Sequence, residues 1–227
     1  MKQIFTILFD LDGTLVDTAP DLMMAHNHVM KKFGYQTKTT EEIRELVGQG
    51  AGTLIGRSIW GQAKKEFSKV NDEKIKKEMV REFVNFYGKN IFNESTLIHG
   101  VKDFLKWCKN KNISMAVCTN KQEHLSNDLL KKIGIYDYFE YVAGSDTFDY
   151  CKPDPRHLTS VVEILDGELN KTIMIGDSET DANAAKSAEI PMILLEDGYT
   201  EKKIDDIYHN YLIKDFIGIE KIITKYL

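Results

Sequence analysis

Cysteine is scarce: Cys108, Cys118 and Cys151 are the three in 227 residues, and no CxxC pair occurs. A disulfide framework is not encoded, and a reducing compartment, the cytoplasm, is expected. Arginine is scarcer than the 30 basic residues suggest, being confined to Arg44, Arg57, Arg81 and Arg156, and the net charge is −5. Without an arginine-rich patch or a positive balance, a broad nucleic-acid surface is excluded. No apolar run approaches the ~18 residues of a membrane span. The N-terminal run is broken at Asp10 and too short for a signal peptide. Histidines lack ligand spacing, since His26 and His28 stand two apart on a predicted helix and cannot share a face. Repeats, low-complexity tracts and flexible linkers are absent as well. What remains is a globular composition, 42% hydrophobic and 29% charged, long enough for one large domain or a domain with an insertion.

From Leu97 onward helix and strand alternate. Residues 100–110 place Val101, Phe104, Leu105 and Cys108 on one helical face, and 113–120 ("ISMAVCTN") form a short apolar strand ending in polar residues. Helical spacing returns over 121–133 and stops at Gly134, a C-cap signal. "YVAGSD", "TIMIGDSETD" and "PMILLEDG" repeat the theme, with helices near 155–165 and 181–188 between them. Fully apolar strands alternating with helices predict an α/β, Rossmann-like parallel sheet with helices on both faces. Such sheets bind ligands just beyond the carboxyl ends of their strands.

Residues 17–96 break the rhythm and read as helices over 20–33, 41–47, about 53–67 and 72–89, with Pro20 and Thr40 as start signals. This predicts a small all-helical cap inserted after the first strand (17–96), the catalytic core being 1–16 plus 97–227. The mixed-charge stretch "KKEFSKVNDEKIKKEMVRE" reads as a solvated helix face.

Four strand ends carry the chemistry. "FTILFDLDGTLVDT" runs an apolar strand into Asp10 and Asp12, and burying such carboxylates is costly unless a cation meets them. Alone, Asp-x-Asp-Gly also fits an acidic turn with Gly13 at positive φ, or part of a calcium loop, although the EF-hand spacing is missing. "VCTN" offers Thr119 and Asn120, either helix caps or an anion site of a hydroxyl and free amides. "CKPDP" holds Lys152 in a loop stiffened by Pro153 and Pro155, and "IGDSETD" sets Asp177 and Asp181 four apart at a helix start. Together they supply a hard-cation site, an oxyanion site and a fixed positive charge. Mg²⁺ suits such a set, taking a few carboxylates plus substrate phosphate, and Asp is a competent nucleophile toward phosphorus. The composite points to phosphoryl transfer.

"DLDGTLVDT", the strand-end Thr119, Lys152 in "KPDP" and "GDSETD" resemble, in order, the four motifs of the haloacid dehalogenase superfamily. "DTAPDL", "LVGQGAGTLIGRSI", "TNK" and "KPDP" resemble its phosphoglycolate phosphatase branch. The resemblance implies Asp10 as nucleophile and metal ligand, and Asp12 as general acid/base with its backbone carbonyl on Mg²⁺. It further implies Thr119 and the Asn120 amide on phosphate, Lys152 as its neutralising charge and Asp177 on the metal. Asp181 and Ser178 support these groups, and Gln49, Gly50 and Arg57 are the cap's candidate substrate readers. The expected activity is hydrolysis of a small phosphomonoester, 2-phosphoglycolate foremost, by a monomer or homodimer. A sugar-phosphate mutase, another small-metabolite phosphatase, a phospho-accepting signalling domain and an inactive binding relative are the alternatives.

Overall fold

The computed structural model describes residues 5–60 and 69–226. Its framework is a six-stranded parallel sheet in the order β5-β4-β1-β6-β7-β8. The strands are β1 (Thr6–Phe9), β4 (Ser114–Cys118), β5 (Tyr141–Ala143), β6 (Thr172–Gly176), β7 (Met192–Leu195) and β8 (Tyr211–Ile213). Two further two-residue strands, β2 (Val16–Asp17) and β3 (Thr96–Leu97), form a separate antiparallel pair.

The sheet is apolar on both sides because each side is covered. Alternation along β1 sends Ile7 and Phe9 to one core and Leu8 to the other. The first core takes in Phe104 and Leu105 of α5 (Val101–Asn110) and Leu129 and Leu130 of α6 (Glu123–Ile133). The second takes in Leu158 and Val161 of α7 (Arg156–Ile164) and Ala182 and Ala185 of α8 (Glu179–Ser187). A short α9 (Glu220–Ile223) closes the chain's described part. The α/β class predicted from the strand pattern is the one observed, and Gly134 ends α6 in a left-handed conformation, φ 75°. Among the described residues no helix is long and apolar enough to cross a membrane.

Between β2 and β3 lie α1 (Ala19–Phe33), α2 (Thr40–Arg44), α3 (Gly50–Trp60) and α4 (Lys69–Lys89). Two details differ from expectation. Thr39, not Thr40, starts α2: its hydroxyl accepts from Glu42 N–H at 3.3 Å while the Glu42 carboxylate accepts from Thr39 N–H at 2.8 Å, a reciprocal cap. The third helix begins earlier than 53, at Gly50, whose left-handed φ of 80° turns the chain into it. The stretch 61–68 of the predicted third helix lies outside the described residues. In its described part the mixed-charge stretch does expose one face, while its Ile75, Met79 and Val80 pack inward on a stripe that Phe83, Val84 and Tyr87 continue along α4.

Candidate active site

Register brings the site together. Phe9 of β1 is aligned with Val117 of β4 on one side and Ile175 of β6 on the other. The first polar residues past these three strands, Asp10, Thr119 and Asp177, therefore emerge along one edge. Asp10 is only 6% exposed and Lys152 only 2%. Lys152 Nζ lies 2.9 Å from Asp10 Oδ1 and 2.5 Å from Asp181 Oδ1, so the loop after β5 lowers its ammonium between two carboxylates.

The other oxygen of Asp181 and both oxygens of Asp177 are held by backbone N–H groups and hydroxyls. Asp181 Oδ2 reaches back across the first turn of α8 to accept from Asp177 N–H (3.2 Å), Ser178 N–H (3.1 Å) and Ser178 Oγ (2.8 Å). That is why an acid stands four residues after Asp177: it ties the loop down and holds Lys152. Asp177 Oδ1 accepts from Thr14 Oγ1 at 2.9 Å and Oδ2 from Tyr199 N–H at 2.7 Å. Gly13 turns the chain here with φ 81°, and a Cβ on it would overlap Asp177 Oδ2.

The cluster has too little positive charge for its acids. Carboxylate oxygens of Asp10, Asp177 and Asp181 all lie within 4.8 Å of one another. Burial, offset only in part by Lys152, pushes Asp10 up to about 6. Burial together with the charges of Asp10 and Asp181 holds Asp177 well above the usual carboxylate range. Lys152 would be lowered by burial, but Asp10 and Asp181 outweigh it and keep the ammonium protonated. The surplus of carboxylates on Asp10, Asp177 and Asp181 is a cluster that could hold a divalent cation.

The carboxylate of Asp12 is not part of this cluster. It accepts from Thr18 Oγ1 at 2.7 Å and from Lys121 Nζ at 2.7 Å. Asp12 instead lines a cavity of about 410 Å³ whose floor includes Asp10, Thr119 and Lys121 and whose roof includes Phe83 and Tyr87 of α4. Gln49 and Gly50 line it too; Arg57 does not. The Arg57 guanidinium turns to the Glu201 carboxylate and the Glu45 carbonyl, away from any substrate in the cavity. Neither Thr119 nor Asn120 caps a helix, since α6 starts three residues on and Gln122 precedes it. The Asn120 side-chain amide bridges the Gly48 carbonyl (3.0 Å) and the Lys152 carbonyl (2.9 Å), joining the helical insertion to the lysine loop.

Four contributors escaped the sequence reading. Thr14 and Tyr199 fix Asp177, Thr18 fixes Asp12, and Lys121 pairs with Asp12 while its ammonium sits 4.5 Å over the Tyr87 ring. The hydroxyls of Thr14 and Thr18 beside the Asp10 motif and the lysine of "TNK" were the available signals; Tyr199 had none nearby, its contact with Asp177 crossing 22 residues.

Residues 7–195 match the family model of the haloacid dehalogenase-like hydrolases. The chain belongs to this family. A phosphoglycolate phosphatase of Caulobacter vibrioides is 35% identical to this hydrolase over 216 residues, spanning 95% of this chain and 89% of the relative. The crystal structure of a predicted phosphoglycolate phosphatase from Haemophilus somnus superposes with a TM-score of 0.89 at 30% identity, covering 98% of this hydrolase and 99% of that chain. A beta-phosphoglucomutase structure from Clostridium difficile, 23% identical with TM-score 0.78 over 99% and 97% of the two chains, shares the fold.

Proposed function

We propose that this hydrolase is a Mg²⁺-dependent phosphatase of small phosphomonoesters, with 2-phosphoglycolate as its substrate, working through a phosphate ester of Asp10. The observation that carries the reading is Lys152 clamped between Asp10 and Asp181 beneath a cavity that Asp10, Asp12 and Thr119 line. The relatives named above support the substrate class, since the Caulobacter protein is a phosphoglycolate phosphatase.

In the first step a carboxylate oxygen of Asp10 attacks phosphorus in line, and the bond from phosphorus to the leaving oxygen breaks. The Asp12 carboxyl hands its proton to that oxygen. In the second step Asp12, now a carboxylate, takes a proton from a water whose oxygen attacks the phosphorus. Phosphate leaves and the Asp10 carboxylate is restored. Bound at Asp10 and Asp177, with the Asp12 backbone carbonyl as a further ligand, Mg²⁺ would neutralise surplus charge and polarise the phosphoryl oxygens. Lys152, the Thr119 hydroxyl and the Asn120 backbone N–H would hold the remaining oxygens.

Asp12 accepts at both of its oxygens in this structure, the arrangement suited to drawing a proton from water. Thr18 serves the acid half equally well, because a hydroxyl donates or accepts by rotation. General acid–base help of this kind contributes only about 10²–10⁴ of an enhancement that reaches ~10²¹ for phosphate monoesters. The larger share falls to the charges bracketing the phosphoryl group. The helices from 19 to 89 act as a cap that encloses the leaving group.

Asp10→Asn is expected to abolish phosphate release and adduct formation with beryllium fluoride, while circular dichroism and melting show a folded chain. Retained turnover in that variant would remove the covalent step. An absolute requirement for a bisphosphate activator would point to the mutase reaction instead.

A further inference from the structure

Lys121 stands in the cavity with no part in the chemistry above. It is more than nine-tenths buried, its Nζ donates to Asp12 Oδ2 at 2.7 Å, and the ring of Tyr87 closes over it at 4.5 Å. An ammonium has three N–H donors. Asp12 accepts one and the ring face attracts the charge, which leaves donor capacity toward the cavity. Tyr87 lines the same space, and its buried hydroxyl has no hydrogen-bond partner among the described residues. An apolar roof over a polar floor with unsatisfied donor capacity suits a ligand that is small and carries an acceptor on its leaving group.

The chemistry of the leaving group decides which acceptor. Asp12 has to reach the ester oxygen to protonate it. In a phosphorylated 2-hydroxy acid the carboxylate carbon is two bonds from that oxygen. A cation hydrogen-bonded to Asp12 is therefore within reach of that carboxylate when Asp12 is in place. Arg57, the candidate reader from the sequence, is outside the cavity on Glu201. Lys76 of α4 lines the cavity but is only half-buried, so its charge is better screened by water.

We propose that Lys121 binds the leaving-group carboxylate and so selects phosphorylated 2-hydroxy acids over neutral phosphomonoesters. The inference rests on the reading of Asp12 as the acid that protonates the ester oxygen. It assigns the specificity of the site to the strand-end side of the cavity, with Tyr87 from the helical side covering the lysine.

The test uses two phosphonates that are not hydrolysed: 3-phosphonopropionate, which places a methylene where phosphoglycolate has its ester oxygen, and propylphosphonate, its uncharged-tail counterpart. Calorimetric titration with Mg²⁺ present should show the wild-type chain binding the carboxylate ligand about tenfold tighter or more, the size of one charge-assisted hydrogen bond. K121M, or K121Q should K121M fail to fold, is expected to bring the ratio near one, and K121R to restore a preference. No preference in the wild type, a ratio unchanged in K121M and K121Q, or loss of preference in K76M instead would overturn the assignment. Because binding needs no turnover, failure of the phosphatase reading registers separately, as absence of Mg²⁺-dependent phosphate release from an aryl phosphate.

Discussion

His157 shows how much the site's surroundings depend on keeping charge out. It is fully buried on the first turn of α7, edge-on to Phe148 at 5.9 Å, five residues after Lys152. Burial first, then the Lys152 charge, lowers its pKa to about 4. In the unfolded chain the imidazole takes a proton near 6.5, so below that pH only the unfolded state gains it. Stability contributed by neutral His157 is thus full above about 6.5 and declines as pH falls toward 4, by up to about 3 kcal/mol. His157→Gln is expected to flatten this slope: urea unfolding at pH 7 and pH 4.5 should show a smaller loss for the variant than for the wild type. Equal losses would mean that the acid sensitivity lies elsewhere. Cys118, packed beneath the strand end, illustrates the same environment, its thiol pushed up to about 12 by burial and therefore unreactive near neutrality.

At the scale of elements, Tyr199 connects the acid cluster to the root of the helical insertion. Its N–H holds Asp177 Oδ2, while its phenol donates to Asp17 Oδ1 at 2.6 Å and accepts from Ala19 N–H at 2.8 Å. Arg44 of α2 completes the node by donating to Asp17 Oδ2 at 2.6 Å. Tyr199→Phe keeps the main-chain bond to Asp177 but leaves the Ala19 N–H and one Asp17 oxygen without their partner. The expected cost is about 1–3 kcal/mol in chemical unfolding, with Mg²⁺ affinity within a few-fold of wild type. A large loss of Mg²⁺ affinity would show that the phenol, not the backbone, fixes Asp177. Elements of this kind mark the border of what sequence reveals. β1, β4, β5, β6 and β7 were legible because a strand buried on both faces must be apolar throughout, and the polar residue that ends each one announces the ligand edge. β2, β3 and β8 were not, since two or three residues carry no periodicity and their pairing is decided by distant partners. The stripe Val80, Phe83, Val84, Tyr87 was written plainly in α4 at helical spacing, beside charged residues that keep the expected solvated face. Lys121 is the sharpest omission: it stands in the "TNK" that resembles the phosphatase branch, but only its pairing with Asp12, 109 residues away, shows what it faces.

Across the whole molecule, Mg²⁺ bound as proposed would compete with protons for the same acids. A carboxylate whose pKa is raised on folding binds its proton more tightly in the folded chain, so the metal-free form gains stability relative to the unfolded chain as pH falls toward the ordinary carboxylate range. With Asp10 at about 6 and Asp177 held well above the ordinary carboxylate range, Mg²⁺ bound at these acids would have to displace protons increasingly as pH drops through 6. Ligand binding stabilises the folded state by mass action, so the benefit shrinks with affinity. Millimolar Mg²⁺ is expected to raise the melting temperature several times more at pH 8 than at pH 5.5, and chelator to reverse it. An increment independent of pH would place the ion away from these two acids.

The ladder of β2 and β3 has a consequence for the evolution of such chains. Asp17 and Thr96 are direct partners across it, roughly 4.5–5.5 Å apart between Cα atoms. A graft needs little more than that: any segment whose ends meet at this spacing splices between the same two residues without altering the connectivity of the six-stranded sheet. Roofs of different shape and polarity can therefore be traded over one unchanged bond-breaking floor, and new substrates acquired by replacing a module.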